Sequence, residues 1–448
     1  MVDFSLEVSQ NEYLSAGAGE VHAVITVTAH DVGTPAGGGA GTGYAGTGDA
    51  PAAGGRAAGG RAAGGPRAAE VILLDCSGSM DYPRTKIVEA RRAARAAIET
   101  LPDGVAFAVV AGTSSATMVY PAGRTLVEAS ARTRQEAAEA VARVRAHGGT
   151  AIGEWLLLAR DLMATRPDLI HHTLLLTDGE NQETAEVLDA ALTACEGHFQ
   201  CDCRGVGADW KVAQLRLVAS RLLGEVALLR EPGAMADDFR SIIARALARG
   251  VDRVGLRLWA PRGAAVRFLR QVSPEIDDLT GRATQASPLS HDYPTGAWAA
   301  GTREYHLCLD VPPAQVGEER LAARVGLLVG DEEIARTRVR AVWTDDVELS
   351  TRIDGVVAHY TGQAELARAV QDGLAARRAG DEQTAVTLLG RAASLAAHTA
   401  NDEALARLSR IVDIDDAATG SVRLRRQVDV LDEMDLDAGS TLTTPARR

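Results

Sequence analysis

Hydrophobic and polar residues alternate in two short segments near the start of the chain. Phe4, Leu6 and Val8 lie two residues apart, and the same period recurs at 21–27. A period of two is typical of half-buried β-strands, because successive side chains point to opposite faces of a sheet. The pattern therefore predicts two strands within residues 1–30.

Residues 70–249 have a different pattern, in which short apolar runs alternate with amphipathic segments. The apolar runs predict strands at 71–74, 105–110, 173–176, 199–206 and 225–229, to which 117–120 can add an edge strand. The amphipathic segments predict helices near 85–100, 133–146, 154–164, 184–195, 211–222 and 236–248. Strands and helices that alternate in this way form a mostly parallel, doubly wound α/β sheet with helices on both faces.

Residues 250–346 return to a period of two, for example at Val254, Leu256 and Leu258. Several strands of this kind predict an antiparallel β-sandwich. Two isolated strands are only marginally stable in water. We therefore expect the strands of residues 1–30 to join residues 250–346 in one discontinuous sandwich, with the α/β domain inserted between them.

Three further regions differ from these domains. Residues 31–69 are almost entirely Gly, Ala, Thr, Pro and Arg, and such a segment buries too little apolar surface to offset its ordering entropy, so we expect a disordered linker.

Residues 354–434 have helical periodicity. The predicted helices lie near 356–378, 382–398, 402–412 and 421–434. Residues 435–448 are expected to form a flexible tail.

Composition limits the classes of function. The formal net charge of −13 argues against a nucleic-acid coat or a basic membrane-surface protein. Five cysteines are few and odd in number, which favours a reducing, cytoplasmic location over a disulfide framework. No secretory leader and no apolar stretch of spanning length is evident, so we expect no membrane insertion. Lysine occurs only at Lys86 and Lys211, and composition alone assigns no role to this bias.

Oxygen-bearing side chains follow the ends of the predicted parallel strands. The run at 71–74 ends in a D-x-S-x-S sequence, the run at 173–176 ends in Thr-Asp-Gly, and a Gly-Gly-Thr turn precedes the helix at 154–164. In open α/β sheets, ligands bind at the carboxyl ends of the strands. The candidate ligand residues are Asp75, Ser77, Ser79, Thr150 and Asp178.

Hydroxyl, carboxylate and water oxygens are the donors that hard divalent cations prefer, which indicates Mg²⁺ or Mn²⁺. The alternative is a turn followed by a helix cap, since Asp and Ser favour both. The additional Thr150 and Asp178 favour the metal site, because a cap needs neither of them.

The D-x-S-x-S loop, the distant threonine and the distant aspartate together resemble the metal-ion-dependent adhesion site of the von Willebrand factor type A domain. The resemblance extends over about residues 70–245. It implies that Ser77, Ser79 and Thr150 bind a divalent cation through their hydroxyls, and that Asp75 and Asp178 act directly or through water molecules. It also implies the doubly wound α/β fold of that family.

The function that we expect from this resemblance is non-catalytic binding of a protein partner. A cation held mainly by neutral hydroxyls keeps much of its positive charge and can attract a Glu or Asp of the partner. The resemblance further implies an adaptor in bacterial signalling, with a forkhead-associated protein, a Ser/Thr kinase or a phosphatase as partner. One alternative is a substrate-presenting subunit of a MoxR-type ATPase system. Another is a metal-dependent hydrolase, for which the sequence shows no evident general base.

Three threonines near the end of the chain, Thr441, Thr443 and Thr444, are candidates for phosphorylation. Their acidic, mobile context is most often that of a merely solvated tail. The sharper hypothesis is that a Ser/Thr kinase phosphorylates one of them and that a forkhead-associated domain reads the product.

The remaining Cys and His residues carry weaker signals. Cys195, Cys201 and Cys203 lie close together, but their spacing matches a buried strand better than a zinc site. His171 and His172 precede an apolar run, which favours polar residues at the edge of a strand over metal ligands.

Overall fold

The computed structural model describes residues 2–31, 68–82, 85–230 and 235–446. The described strands are β1 (Val2–Gln10), β2 (Tyr13–Ser15), β3 (Glu20–Asp31), β4 (Ala68–Asp75), β5 (Ala106–Gly112), β6 (Ala116–Tyr120), β7 (Val127–Glu128), β8 (Ile170–Thr177), β9 (Gln200–Val206), β10 (Val226–Leu229), β11 (Val251–Trp259), β12 (Ala265–Ser273), β13 (Asp277–Asp278), β14 (Thr284–Ser287), β15 (Ser290–Trp298), β16 (Gly301–Asp310), β17 (Glu319–Val329), β18 (Glu332–Thr344), β19 (Val412–Asp416) and β20 (Ser421–Leu424). The described α-helices are α1 (Thr85–Thr100), α2 (Ala131–Ala142), α3 (Ile152–Met163), α4 (Ala185–Cys195), α5 (Val212–Arg221), α6 (Met235–Leu247), α7 (Val347–Thr351), α8 (Gly355–Arg378), α9 (Glu382–His398), α10 (Asp402–Ile411) and α11 (Val430–Ala438).

A seven-stranded sheet forms the centre of the α/β domain. Its order is β10-β9-β8-β4-β5-β6, and β7 pairs with β5. The pairs from β10 to β5 are parallel, while β6 and β7 run antiparallel to β5. Helices α3, α4 and α5 cover one face of this sheet, and α1, α2 and α6 cover the other. The predicted doubly wound, mostly parallel fold is confirmed.

Strand β4 illustrates why this sequence forms a central strand. All eight of its residues are buried, because helices cover both faces of the sheet. Such strands have continuous apolar runs instead of alternating ones, as Val71–Leu74 does. Both edges of β4 pair with parallel strands, β8 and β5, which places its end beside theirs.

Two antiparallel sheets form the sandwich. One has the order β1-β3-β16-β12-β13, and the other has the order β14-β15-β11-β17-β18-β2, in which the short β2 runs parallel to β18. Apolar side chains from both sheets share one core, including Val21 and Ile25 of β3 with Leu256 and Leu258 of β11. The N-terminal strands thus lie in the same sandwich as strands beyond residue 250, although the α/β domain separates them in sequence.

The predicted linker at 31–69 needs a correction at both ends, because Asp31 is the last residue of β3 and the carboxyl end belongs to β4. Ala68, Ala69 and Glu70 belong to β4, and all three are buried. They follow the register of the neighbouring strand, with Ala69 opposite Ala106. Residues 32–67, on which the prediction of disorder mainly rests, lie outside the described residues.

The helical region at 354–434 contains the three predicted helices α8, α9 and α10, but the predicted helix at 421–434 is wrong. Residues Ser421–Leu424 form β20, which pairs antiparallel with β19, and α11 begins only at Val430. Val422 is buried in the same cluster as Leu389 of α9. This strand pairing outweighs the weak helical pattern of the segment.

The predicted flexible tail at 435–448 is also wrong for its described part, residues 435–446. Asp435 to Ala438 complete α11, and a 3₁₀ helix follows at Gly439–Thr441. Arg216 of α5 donates a hydrogen bond of 3.0 Å to Asp437. The last part of the chain therefore packs against the α/β domain.

The candidate phosphorylation sites lie in this packed segment. The carbonyl oxygen of Thr441 accepts a hydrogen bond from the Ile276 amide at 2.8 Å. The Thr443 hydroxyl donates to the Val272 carbonyl at 2.7 Å, and the Thr444 hydroxyl accepts from Gln363 at 2.9 Å. Phosphorylation of these threonines stays a prediction, and at Thr443 and Thr444 it would require the hydroxyl contacts to open.

No described helix has both the length and the apolar character that crossing a bilayer requires.

Candidate metal centre

The D-x-S-x-S loop begins where β4 leaves the sheet. The Cys76 amide still donates to the Gly112 carbonyl of β5 at 2.7 Å, which continues the pairing by one residue. The chain then turns into a short 3₁₀ helix at Gly78–Asp81, ahead of α1. This turn directs Ser77 and Ser79 toward the end of β8.

Backbone hydrogen bonds tie this loop to the loop that carries Thr150. The Gly78 amide donates to the Gly148 carbonyl at 2.9 Å, and the His147 amide donates to the Cys76 carbonyl at 2.7 Å. Gly148 has a φ of +72°, a conformation that favours glycine at this contact. The two loops therefore hold each other in place without using the candidate ligand atoms.

The candidate ligands of β4 and β8 are joined by hydrogen bonds. Asp75 accepts from the Ser77 amide at 2.7 Å and also from the Thr177 hydroxyl. The Ser77 and Ser79 hydroxyl oxygens are 2.9 Å apart, and Ser79 donates to Asp178 at 2.8 Å. These side chains form one continuous group of oxygen atoms.

Gly179 shows that Thr150 belongs to the same group. A Cβ atom placed on Gly179 would lie 3.1 Å from Thr150 Oγ1, 3.3 Å from Ser79 Oγ and 3.7 Å from Asp75 Oδ2. Oxygens from the β4 loop and from the loop before α3 therefore surround the backbone of the β8 loop. A side chain at position 179 would fill the space between them.

The site is buried except at one residue. Asp75, Ser77, Thr150 and Asp178 are each at most 3% exposed, whereas Ser79 is exposed. Burial raises the pKa of Asp75 to about 6, against the hydrogen bonds from Ser77 and Thr177, and the nearby Asp178 adds to this rise. Two buried carboxylates at one place favour a cation, because each destabilises the negative charge of the other.

Lys86 supplies a positive charge at this place, and the sequence interpretation missed it. Its ammonium nitrogen lies 2.7 Å from Asp178 Oδ2 and 2.8 Å from Asp209 Oδ2. The only other lysine of the chain, Lys211, pairs with Glu180 in the loop after β8. Both lysines therefore pair with acids at the candidate site. The rarity of lysine in a chain whose other basic residues are arginines is the sequence feature that could have indicated a role for Lys86 and Lys211 at this site.

The donor set fits a hard divalent cation. All five predicted residues come together from three loops, and their side chains offer only hydroxyl and carboxylate oxygens. Such oxygens suit Mg²⁺ or Mn²⁺ and disfavour softer metals. The space around Gly179, which a Cβ would fill, lies among these oxygens.

The other residues considered from sequence lie elsewhere. Cys201 and Cys203 are fully buried on β9 with their sulfur atoms 3.9 Å apart, as predicted for a core strand. His172 is not a polar edge residue, as the sequence had indicated, because its side chain is only 3% exposed. Its ring lies 2.8 Å from Glu70 and 3.1 Å from Asp202, at the opposite end of β8 from the candidate site.

Comparison with known proteins places both parts of the chain in one family. Residues 69–227 match the von Willebrand factor type A domain, and residues 394–440 match the von Willebrand factor type A C-terminal domain. The second match includes β19, β20 and α11, the elements that the sequence interpretation described incorrectly.

A Synechocystis sp. (strain PCC 6803) protein, sll0103, is 30% identical over 215 residues, which are 47% of this chain and 49% of that protein. The chain thus spans about half the length of this curated relative.

Two solved structures extend the comparison to the whole chain. A von Willebrand factor type A protein from Catenulispora acidiphila is 45% identical, with a TM-score of 0.88 over 99% of this chain and 97% of that one. The ArnB paralog VWA2 from Sulfolobus acidocaldarius is 12% identical, with a TM-score of 0.54 over 98% of each chain, and it shares the fold. The match to the Catenulispora protein extends over nearly the full length of both chains at high identity, and this chain therefore belongs to the von Willebrand factor type A family.

Proposed function

We propose that this chain is a non-catalytic, intracellular interaction protein that binds an acidic residue of a partner protein through a divalent cation, Mg²⁺ or Mn²⁺. One observation carries the proposal. Oxygen donors from three loops converge at the carboxyl ends of β4 and β8, and only the Ser79 side of this group is exposed. A cation bound there has one accessible side.

The candidate ligands contribute two kinds of oxygen, neutral hydroxyls and charged carboxylates. Ser77, Ser79 and Thr150 offer neutral oxygens, so they do not cancel the charge of a cation. Asp75 and Asp178 are held by hydrogen bonds from Thr177 and Ser79, which orients their oxygens. A bound divalent cation supplies an open coordination position and residual positive charge, both of which suit a carboxylate.

An aromatic side chain near the site supports a protein partner over a small ligand. Tyr82 follows Ser79 by three residues and is 87% exposed. Tyrosine is enriched in the centres of protein interfaces, where its ring contributes a large apolar contact area. A partner that offers a carboxylate beside an apolar surface would match both features.

A non-catalytic role is favoured by the acids at the rim. Asp209 pairs with Lys86, and Glu180 pairs with Lys211. In both pairs the carboxylate contacts an ammonium group, so it is not directed at a bound water that it could deprotonate. An adaptor role in bacterial signalling, with a forkhead-associated protein, a kinase or a phosphatase as partner, remains our expectation. Docking to a MoxR-type ATPase is the alternative.

The test is a pull-down with the tagged full chain from lysate of its native host, in Mg²⁺ and in EDTA, analysed by mass spectrometry. Asp75→Ala removes a candidate ligand, and we expect it to abolish the Mg²⁺-dependent association. Asp103→Ala is the matched control, because Asp103 is an exposed acid of the same domain that pairs with Arg134. The control variant should retain the partner.

Isothermal titration with Mg²⁺ or Mn²⁺ separates ion binding from partner binding. The wild type and Asp103→Ala should bind one ion, and Asp75→Ala should bind none. Failure of the wild type to bind either ion would overturn the proposal, as would equal recovery of partners in Mg²⁺ and EDTA. Turnover in a phosphatase or esterase panel that disappears in Asp75→Ala would favour the hydrolase.

A further inference from the structure

A second group of metal-ligating side chains lies on the sandwich, on the face of its first sheet that points away from the core. Glu20 and His22 of β3 lie beside Cys308 of β16, and their candidate ligand atoms are all within 4.8 Å of one another. The strands are antiparallel, with His22 directly opposite Cys308 and Glu20 opposite Asp310. The strand register therefore brings these three side chains to one side of the sheet.

We propose that Glu20, His22 and Cys308 form a zinc site. His22 Nε2 is 2.7 Å from Glu20 Oε1 and 3.9 Å from Cys308 Sγ. Tetrahedral zinc has bonds of about 2.0–2.3 Å to nitrogen, oxygen and sulfur, which separates its ligand atoms by roughly 3.3–3.8 Å. Small rotations of the Glu20 side chain bring these atoms to that spacing.

The neighbouring side chains orient two of the three ligands. His22 Nδ1 lies 3.0 Å from His306 Nε2, so the other ring nitrogen of His22 faces Glu20 and Cys308. Arg267 pairs with Glu20 Oε2, which leaves Oε1 directed toward His22. Zinc-binding histidines characteristically have such a partner on the second nitrogen, and it sets both the tautomer and the ring orientation.

The positioning residue His306 is itself held in place by packing. It is buried, and its ring packs edge-on against Phe268, with the ring centroids 5.1 Å apart. This packing fixes the ring whose Nε2 faces Nδ1 of His22.

The charges of the proposed ligands and the solvent exposure of the site also suit zinc. Glu20 and a Cys308 thiolate together balance a divalent ion, and Arg267 is balanced by Asp310 at 2.6 Å. Cys308 is buried, but the side chains of His22 and Glu20 are 27% and 43% exposed, which leaves an approach from solvent and a fourth position for water.

The site would have a structural consequence. Strand β3 belongs to the N-terminal segment, whereas β16 follows the inserted α/β domain. A metal bound by both strands would link the two halves of the discontinuous sandwich. This role is independent of the cation site at β4 and β8, which uses other residues and only oxygen donors.

Cobalt titration of the full chain tests the proposal, because thiolate ligation of Co²⁺ produces a charge-transfer band in the near ultraviolet. We expect one equivalent of Co²⁺ to produce this band together with the strong visible absorption of a tetrahedral ion, and Zn²⁺ to displace it. Cys308→Ser and His22→Gln should each lose the band. Asp75→Ala and Cys201→Ser should retain it, since they alter the oxygen site and a buried cysteine of another domain. His306→Ala should weaken metal binding by about 10- to 100-fold.

Absence of the charge-transfer band in the wild type at saturating Co²⁺ would overturn the proposal, as would its persistence in Cys308→Ser. Circular dichroism of each variant shows whether it is folded. If Cys308→Ser does not fold, His22→Gln provides the decisive measurement, because it leaves the thiol in place. Loss of the band in Asp75→Ala would also contradict the proposed ligands.

Discussion

The two ends of strands β4 and β8 both hold buried acids, but they neutralise them in different ways. At the amino end, Glu70 and Asp202 lie on either side of His172, at 2.8 and 3.1 Å. At the carboxyl end, Asp75 and Asp178 lie among hydroxyls, and the nearest described cation is Lys86. The same sheet therefore has one closed ionic cluster and one open one.

Burial explains why the closed cluster needs its histidine. Burial alone disfavours the imidazolium, yet Glu70 and Asp202 outweigh it and raise the pKa of His172 to about 9. The positive charge is held between two acids and has no access to solvent. The opposite charges of this cluster contact one another inside the domain.

The open cluster lacks such an internal cation. Burial raises the pKa of Asp75, and Lys86 lies at the edge, where it is shared with the exposed Asp209. Lys86 is 12% exposed and reaches Asp178 from α1. The two ends therefore differ in where the positive charge lies: within the cluster at His172, and at the edge of the cluster at Lys86.

The largest expected effect is at the closed end. His172→Gln leaves two buried acids without the charge between them, and breaking a buried ion pair costs about 3–5 kcal/mol. We expect a loss of this size in the free energy of unfolding, measured by urea denaturation. His30→Gln is the control, since His30 is exposed and its change should stay within about 0.5 kcal/mol. A loss below 1 kcal/mol in His172→Gln would show that the cluster is not neutralised by this histidine.

The second prediction concerns how stability depends on pH, and it tests the same contribution of the positive charge on His172. A folded-state pKa raised from 6.5 to about 9 contributes stability that is complete below pH 6.5 and is lost as the pH rises through 9. The unfolding temperature of the wild type should therefore fall over this range in EDTA. Glu70 and Asp202 both contribute to the field at His172, and Arg249 in turn acts on these two acids. If the unfolding temperature of His172→Gln falls by the same amount over this pH range, the fall is caused by groups other than His172.

The smallest expected effect is at the open end. Lys86→Met removes a positive charge that competes with a divalent cation for Asp178, and we expect the Kd for Mg²⁺ to fall about tenfold, or about 1.4 kcal/mol. Lys211→Met is the matched control, because this lysine is 59% exposed and pairs with Glu180 instead. Its Kd should change less than twofold. Titration calorimetry measures both, and weaker binding in Lys86→Met would mean that Lys86 orients Asp178 and does not compete.

The candidate site could be predicted from sequence because its parts are local. Asp75, Ser77 and Ser79 lie in one loop, and Asp178 follows its own apolar run directly. Parallel strands bring their carboxyl ends to one edge, so the topology alone brings these residues together. Thr150 was recognisable from its glycine turn and its place before a helix.

Elements whose partners are distant in sequence were harder to predict. Ser421–Leu424 forms a strand because β19 offers it an edge, although its own pattern resembles a helix. Thr443 is held by the carbonyl of Pro274 at 3.0 Å, a contact across most of the C-terminal half of the chain. Polar composition indicated mobility there, because composition does not record where hydrogen-bond partners will lie.

The sequence by itself determined the family fold, the strand ends and the grouping of the five candidate oxygen ligands, since each depends on local periodicity and on the edge where parallel strands end. Only the tertiary structure decided the neutralisation of charge. It placed His172 between the acids of two neighbouring strands, and it brought Lys86 from α1 to Asp178 in the loop after β8. It also brought His22 and Cys308 together from segments 286 residues apart. Electrostatic energies depend on distance in space and on burial, and the order of the residues along the chain gives neither of these directly.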